Sequence, residues 1–390
     1  MWSNNKKVDI LVNILIFLVA VNFLHYGQLI LIPVCLILFI DNKFKFKVNN
    51  WFTFIVLCLF GISFFAFSLK MGFYAVMGFT LPMVYYIGSN IKKTDEESVK
   101  KLVYLIALGM FVHLVLNFGM DIYMKGVKVF DKFTFYDIWT RDVIAPTITS
   151  VHYTIPLAIF YYVAFYEKNK KIRYLYFVLL VIIMIYDISL GRRTPIMMFG
   201  ISVVVALFLD LFVFKEKKRI PRPIIVITLC FFAVVLFLMA IIKFDLFGLR
   251  NSLESITIIY KFVLYGLDAE RLEIFINAVK LAPYHLWGGQ GISAAMDIAV
   301  HDLWMDTYDY AGIVPFVFLF IYTVIYIKNC LSLFKSRKLS GSYKLMIITF
   351  FICTGVQMMI EPIMTSSTIF LICTMLIGTV FEKEAKTLDV

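Results

Sequence analysis

About twelve apolar stretches, each near the length of a membrane-crossing helix, alternate along this chain with loops of strongly unequal basic content. A helix of about 20 apolar residues crosses about 30 Å of hydrocarbon, and in that medium every backbone group must be satisfied internally. The remaining composition excludes a soluble enzyme. With 62% hydrophobic residues and 16% charged ones, and a mean hydropathy of +0.88, a water-soluble globule would lack the polar surface to cover itself.

The spans are expected at Ile10 to Leu24, Gln28 to Ile40, Trp51 to Leu69, Gly72 to Gly88, Leu102 to Gly119 and Val151 to Tyr166. They continue at Tyr174 to Tyr186, Pro195 to Phe214, Pro223 to Ile242, Ala311 to Ile327, Leu345 to Ile360 and Ile363 to Phe381. With the N-terminus in the cytoplasm, the inner segments hold Lys6, Lys7, Lys43, Lys45, Lys47 and the lysines around 92–101. They also hold the clusters at 168–173, 215–222 and 328–344, and Lys383 and Lys386. These are about two thirds of the 37 Lys and Arg, and the remainder is spread over much longer outer loops. The expected fold is all-α: a single polytopic membrane domain, residues 1–390, with about twelve transmembrane helices and both termini cytoplasmic. The long segment 243–310 forms a partly helical extracytoplasmic loop in which the chemistry is expected. The net charge of +11 is then mostly an inner-leaflet signature and calls for no nucleic acid partner.

The six cysteines lie in or beside spans without paired spacing, so they read as small apolar fillers, neither disulfides nor metal ligands. The first apolar segment has a basic start but no small-residue cleavage pattern, and a second span follows at once. A retained helix is expected there.

Functional residues concentrate in three outer loops. The loop 120–150 mixes Lys125, Lys128, Lys132 and Arg141 with Asp121, Asp131, Asp137 and Asp142, among Phe130, Phe133, Phe135, Tyr136 and Trp139. Such aromatics either stack on sugar rings or anchor the loop at headgroup level. The short loop after the seventh span reads Asp187-Ile188-Ser189-Leu190-Gly191-Arg192-Arg193-Thr194-Pro195. A helix opening at Pro195 presents free amides and a positive dipole end beside two guanidiniums, an anion site at the membrane surface. The alternative is that the arginines snorkel to headgroups or pair with Asp187.

In the long loop, residues Asp268 to Pro283 have the form of an amphipathic helix capped by Asp268, with Leu272, Phe275, Ile276 and Val279 on one apolar face. Arg271 sits in its first turn, where a cation opposes the helix dipole and needs an anionic partner, either a diphosphate or a loop carboxylate. Trp287-Gly288-Gly289-Gln290-Gly291 follows as a tight turn or a phosphate-approaching loop, then His301, Asp302 and Trp304. Of the histidines, His301 is best placed for chemistry. His25 is in a tiny loop, His113 is deep in a span, His152 begins one, and His285 lies at a helix end.

This order of motifs resembles the O-antigen ligase and O-antigen polymerase superfamily across roughly Asp187 to Phe320. The matching residues are Gly191-Arg192-Arg193-Thr194 at a span start, Arg271 before an apolar helix, Pro283, the Trp-Gly-Gly-Gln-Gly turn, and His301 ahead of Tyr310-Ala311-Gly312-Ile313-Val314. The resemblance implies a membrane glycosyltransferase that moves a glycan from an undecaprenyl diphosphate carrier to an acceptor on the outer face of the bacterial cytoplasmic membrane. It implies no cofactor and no metal. It assigns catalytic roles to Arg193, Arg271 and His301, with Arg192, Asp302, Gln290, Trp304 and Arg141 binding substrate. Asp302 stands where the family has Asn. Implied partners are the lipid-linked oligosaccharide donor, a glycan acceptor, membrane lipid, a flippase and a chain-length regulator.

The residue types suit such a reaction. A departing lipid diphosphate gains negative charge that fixed guanidiniums can bind bidentately, and an imidazole can take the acceptor proton near neutral pH. Direct attack by the acceptor inverts the anomeric centre. Family association favours a repeat-unit polymerase of capsule or exopolysaccharide type; ligase transfer to a lipid, protein or wall acceptor uses the same donor chemistry. A flippase is the alternative of another class, but transporters place ionisable residues inside their spans, and here His113 and Asp210 are the clear cases.

Overall fold

The computed structural model describes residues 2–3, 5–68, 77–91, 96–126, 135–144, 152, 154–190, 194–214, 244, 270–298, 300, 302–336, 339–361 and 368–388. The described residues are almost entirely helical. In chain order they form α1 (Lys6–Ala20), α2 (Gly27–Asp41), α3 (Trp51–Phe67), α4 (Met77–Ser89) and α5 (Glu96–Lys125). A two-stranded hairpin follows, β1 (Phe135–Tyr136) and β2 (Val143–Ile144), antiparallel with Phe135 opposite Ile144. Then come α6 (Phe160–Tyr166), α7 (Lys170–Leu190), α8 (Thr194–Phe208, prolonged by a π turn over Leu209–Val213), α9 (Glu270–Leu281), α10 (Gly291–Met296) and α11 (Leu303–Ala311). The last three are α12 (Ile313–Lys335), α13 (Gly341–Ile360) and α14 (Thr368–Leu388).

Where the expected spans fall within the described residues they are largely helical; Leu69, 72–76, 151, 153, 363–367 and the whole of Pro223 to Ile242 lie outside them. Among the described residues, four helices are long and apolar enough to cross a membrane: Glu96–Lys125, Thr194–Val213, Ile313–Lys335 and Gly341–Ile360. Helices α2, with Pro33 inside it, and α3 are apolar but shorter. Local sequence sets several starts. The side chains of Asn5, Asn50 and Ser340 accept hydrogen bonds from first-turn amides of α1, α3 and α13, supplying the partners that a helix end otherwise lacks.

Burial distinguishes central helices from peripheral ones. Leu81, Val84, Tyr85, Ile87 and Ile91 of and beside α4, and Ile369, Leu376 and Ile377 of α14, are almost wholly enclosed. Small residues allow that closeness: a Cβ on Gly378 would lie 2.7 Å from the Tyr85 carbonyl oxygen, and one on Gly61 2.7 Å from that of Gly78. Helix α12 instead exposes Ile313, Val317, Phe320, Val324, Ile327 and Leu331 at helical spacing. An apolar stripe of that length, left uncovered, belongs in hydrocarbon and not in water.

The helix ends gather at two opposite faces of the bundle. At one, Ser3 bonds Asp41 at 2.8 Å, Asn42 bonds Asn90 at 2.6 Å, Tyr104 bonds Glu167 at 2.7 Å and the Ser340 hydroxyl bonds Glu96 at 2.6 Å. The lysine-rich connections around 43–47 and 168–173 leave from this face. At the other, His25 between α1 and α2 bonds Asp137 of the hairpin after α5, Phe67 at the end of α3 stacks on Trp287, and Thr194 at the start of α8 bonds Glu361 at the end of α13.

Candidate active site

The second face carries the candidate site. Its best-described part is the glycine turn and α11. Asp302 caps α11: its Oδ1 accepts from the backbone N–H of Trp304 at 3.0 Å and of Met305 at 2.8 Å. The second oxygen, Oδ2, is buried with no hydrogen-bond partner among the described residues. Burial pushes this carboxyl up to about 6, against the lowering effect of the two amides. Asp302 directly follows His301 in sequence. Cap formation answers why a carboxylate is tolerated there, since Asp and Asn cap equally well.

The Trp287–Gly291 turn is a backbone clamp. Gly289 N–H donates to the Tyr310 carbonyl at 3.1 Å, Gln290 N–H to that of Asp309 at 2.8 Å, and Ile313 N–H to that of Leu286 at 2.9 Å. Gly288 (φ +75) and Gly312 (φ +82) both adopt left-handed backbone where the two segments touch, and a Cβ on Gly288 would lie 2.6 Å from Gly312 N. The start of α10 is filled from within: Asp309 Oδ1 accepts from Ile292 N–H at 2.9 Å, and Asp309 Oδ2 accepts from the Ser293 hydroxyl. Of the two readings of this glycine run, the tight reversal is the one its hydrogen bonds express. Gln290 (φ 62) has an exposed side chain that makes no cap bond. Trp287, two-thirds exposed, stacks on Phe67 at the end of α3 with ring centroids 5.9 Å apart. The Trp304 indole N–H donates to Thr323 at 2.8 Å, docking α11 on α12.

Arg271 is the second residue of α9, and its side chain, like Asp268, lies outside the described residues. The apolar face assigned to this helix is not the one it buries. Ala278 is enclosed with Ile292, Val300, Met305 and Tyr308, whereas Phe275, Ile276 and Val279 are exposed. The inner stripe follows the small residue because Ala278 lets α9 approach α11; the larger residues face outward.

Arg192, Arg193 and His301 also lie outside the described residues. What flanks the arginines is described. Helix α7 runs one turn past the expected span end, since no breaker occurs before Gly191, and this places the fully buried Asp187 in its last turn. On the other side, the Thr194 hydroxyl donates to Glu361 Oε1 at 2.6 Å, and Glu361 is fully buried at the end of α13. Sequence reasoning passed over Glu361. Its signal was a lone carboxylate followed by Pro362 between two apolar stretches.

Arg141 (φ 62) is exposed on the β1–β2 turn. The hairpin is fastened by His25 Nε2 to Asp137 Oδ1 at 2.9 Å, a pair 112 residues apart that no spacing could announce. Asp137 also accepts from Trp139 N–H at 2.8 Å and Thr140 N–H at 3.0 Å. The hydrogen bond to Asp137 holds the His25 imidazolium above its usual range; the same bond and the two amides hold Asp137 below its own, despite burial. Phe23 packs edge-on against Trp139 at 5.2 Å. Nearby, Ile138 N–H donates to Asn117 Oδ1 at 3.0 Å and Tyr136 N–H to Asp121 Oδ1 at 2.6 Å, so the polar C-terminal end of α5 receives the hairpin. Asp210, at the far end of α8, accepts from Tyr161 at 2.6 Å and Tyr166 at 2.7 Å. Neither a protein-family model nor a curated protein matches this chain.

Proposed function

We propose that this protein is a membrane glycosyltransferase that takes an oligosaccharide from undecaprenyl diphosphate at the outer face of a bacterial cytoplasmic membrane and joins it to a glycan acceptor, as a polysaccharide repeat-unit polymerase. In this reading the chain crosses the membrane about twelve times, with both termini inside and segment 243–310 outside. What supports it is that α8 begins, directly after Arg192 and Arg193 in sequence, against the end of α13 whose other end bonds Glu96, and that the glycine clamp ties the segment before α10 to the junction of α11 and α12, with Asp302 capping α11. Arg193 and Arg271 bind the departing diphosphate, with Arg192 beside them, and His301 accepts the proton of the attacking hydroxyl. Asp302, with one oxygen committed to its cap and the other turned inward, supports His301 electrostatically. Exposed Phe275, Ile276, Val279 and Trp287 suit a loop lying against lipid, where the polyprenyl tail arrives from the side.

The ionisable residues inside helices are largely engaged in packing, Asp210 with two tyrosines and Asp121 with the hairpin, which favours a fixed-side enzyme over alternating access. Purified protein incubated with a synthetic undecaprenyl-diphosphate oligosaccharide tests the reading. A ladder of products marks a polymerase and a single addition to a foreign acceptor a ligase. Movement of the lipid across vesicles without turnover marks a flippase and refutes the proposal.

A further inference from the structure

We infer that the segment from α9 to the glycine turn docks on the lipid leaflet at the second face as an interfacial element, a contact that deepens the membrane-side reading above and fixes the height of the clamp and of Asp302 over the bilayer. Helix α9 has three sides. Ala278 faces α11, enclosed with Ile292, Met305 and Tyr308. Glu273, Asn277 and Lys280 recur at helical spacing and make a polar side. Phe275, Ile276 and Val279 make the third side, and all three are exposed. Tyr284, Leu286 and Trp287 continue the run of exposed apolar side chains beyond the helix.

Two fixed points join this surface to the lipid-facing stripes of two spans. The Ile313 N–H donates to the Leu286 carbonyl at 2.9 Å, so exposed Leu286 lies at the head of the stripe that α12 begins at Ile313. Trp287 stacks on Phe67 with ring planes 22° apart, and Phe67 closes α3, which exposes Ile55, Leu59 and Ile62 at helical spacing. The end of α9 is held against α12 as well: the Tyr308 hydroxyl donates to the Ala282 carbonyl at 2.7 Å, and its ring meets Phe316 edge-on at 5.5 Å. A bilayer is the one medium that meets an apolar surface continuous with both stripes, and Tyr284 and Trp287 are the residue types that favour headgroup level. Charge does not drive the contact. Across 270–287, Glu270 and Glu273 are matched by Arg271 and Lys280, so apolar burial carries it and not attraction to anionic lipid.

Tryptophan fluorescence of the full chain in phosphatidylcholine vesicles tests the docking, with the share of Trp287 taken as the difference between wild type and Trp287→Phe, which keeps a ring against Phe67. Bromine atoms near the glycerol end of the acyl chains are expected to quench that share at least about twofold more than bromines near the chain ends, in low and high salt alike. Ile276→Glu puts a charge on the apolar side and is expected to cut the quenching by about half or more, whereas Asn277→Glu, the same charge on the polar side, leaves it unchanged. A Trp287 share that no brominated lipid quenches, or that deep bromines quench best, overturns the inference. So does equal loss in the two glutamate variants. Protection of Trp287 from a water-soluble quencher by free oligosaccharide, without quenching by brominated lipid, would make the patch a glycan platform and overturn it too. No step requires turnover, so an inactive protein whose Trp287 is quenched at headgroup depth overturns the glycosyltransferase reading alone.

Discussion

Replacing Gly288 and Gly289 by alanine, one at a time, separates a backbone clamp from a ligand cradle. Both glycines have positive φ, +75 and +78, so each alanine carries the left-handed penalty of about 1–2 kcal/mol, slightly offset by the stiffer unfolded chain. Only Gly288 is also crowded. Its Cβ would lie 2.6 Å from Gly312 N and 2.7 Å from Ala311 C, backbone atoms that cannot swing aside, whereas nothing lies within 4 Å of a Cβ on Gly289. Forcing such an overlap typically adds about 1–3 kcal/mol. Gly288→Ala should therefore cost about 2–5 kcal/mol and Gly289→Ala about 1–2 kcal/mol. Thermal unfolding in detergent, followed by the reactivity of the buried thiols Cys353 and Cys373, measures the difference. Equal destabilisation would refute the clamp. So would a Gly289→Ala protein of near-normal stability that has lost donor affinity, since that is how a phosphate-approaching loop fails.

Asp302 predicts a pH effect of definite sign. Its carboxyl, pushed up to about 6 by burial, lies above the ordinary carboxylate range, so its stabilising contribution is complete below that range and is lost as pH rises through the raised value. Asp302→Asn preserves the cap and should be more stable than wild type above pH 6, by up to about 3 kcal/mol, with the decline removed; Asp302→Ala should lose about 1 kcal/mol of capping. The His25–Asp137 pair has a window. Asp137 is lowered and contributes above its unfolded pKa, failing as pH falls through its folded one; His25 is raised and contributes until pH rises through its folded value. Protection of the β1–β2 hairpin from proteolysis should thus be greatest between those limits, and in His25→Phe the high-pH decline should vanish while the acid-side loss set by Asp137 and its two amides remains. Trp304→Phe removes the donor to Thr323 and should lower stability by about 1 kcal/mol while leaving donor KM unchanged; a large KM increase would make this indole a sugar platform instead.

The helices were legible because hydrocarbon imposes a simple length and polarity on every span. Their boundaries were less so: α7 continues through Asp187, and α5 runs to Lys125, because polar residues that look like loop from composition are accommodated where a hairpin or neighbouring helix satisfies them. The glycine turn and the α11 region could be located but not interpreted, since a positive φ serves a clamp and a cradle alike. Long-range polar pairs left no trace in spacing. His25 with Asp137, and Thr194 with Glu361, are made by tertiary packing alone. The exposed face of α9 inverted the expected pattern for a physical reason: beside a membrane, large apolar residues can face outward, and a small one marks the close contact.

The most direct test of the account is the release of free undecaprenyl diphosphate from a synthetic lipid-linked oligosaccharide by purified protein, with an acceptor glycan present and all divalent metal chelated. Time-dependent release by the wild type, abolished singly by Arg193→Ala, Arg271→Ala and His301→Ala in proteins that still insert and fold, is the expected result. Release undiminished in all three variants would contradict it.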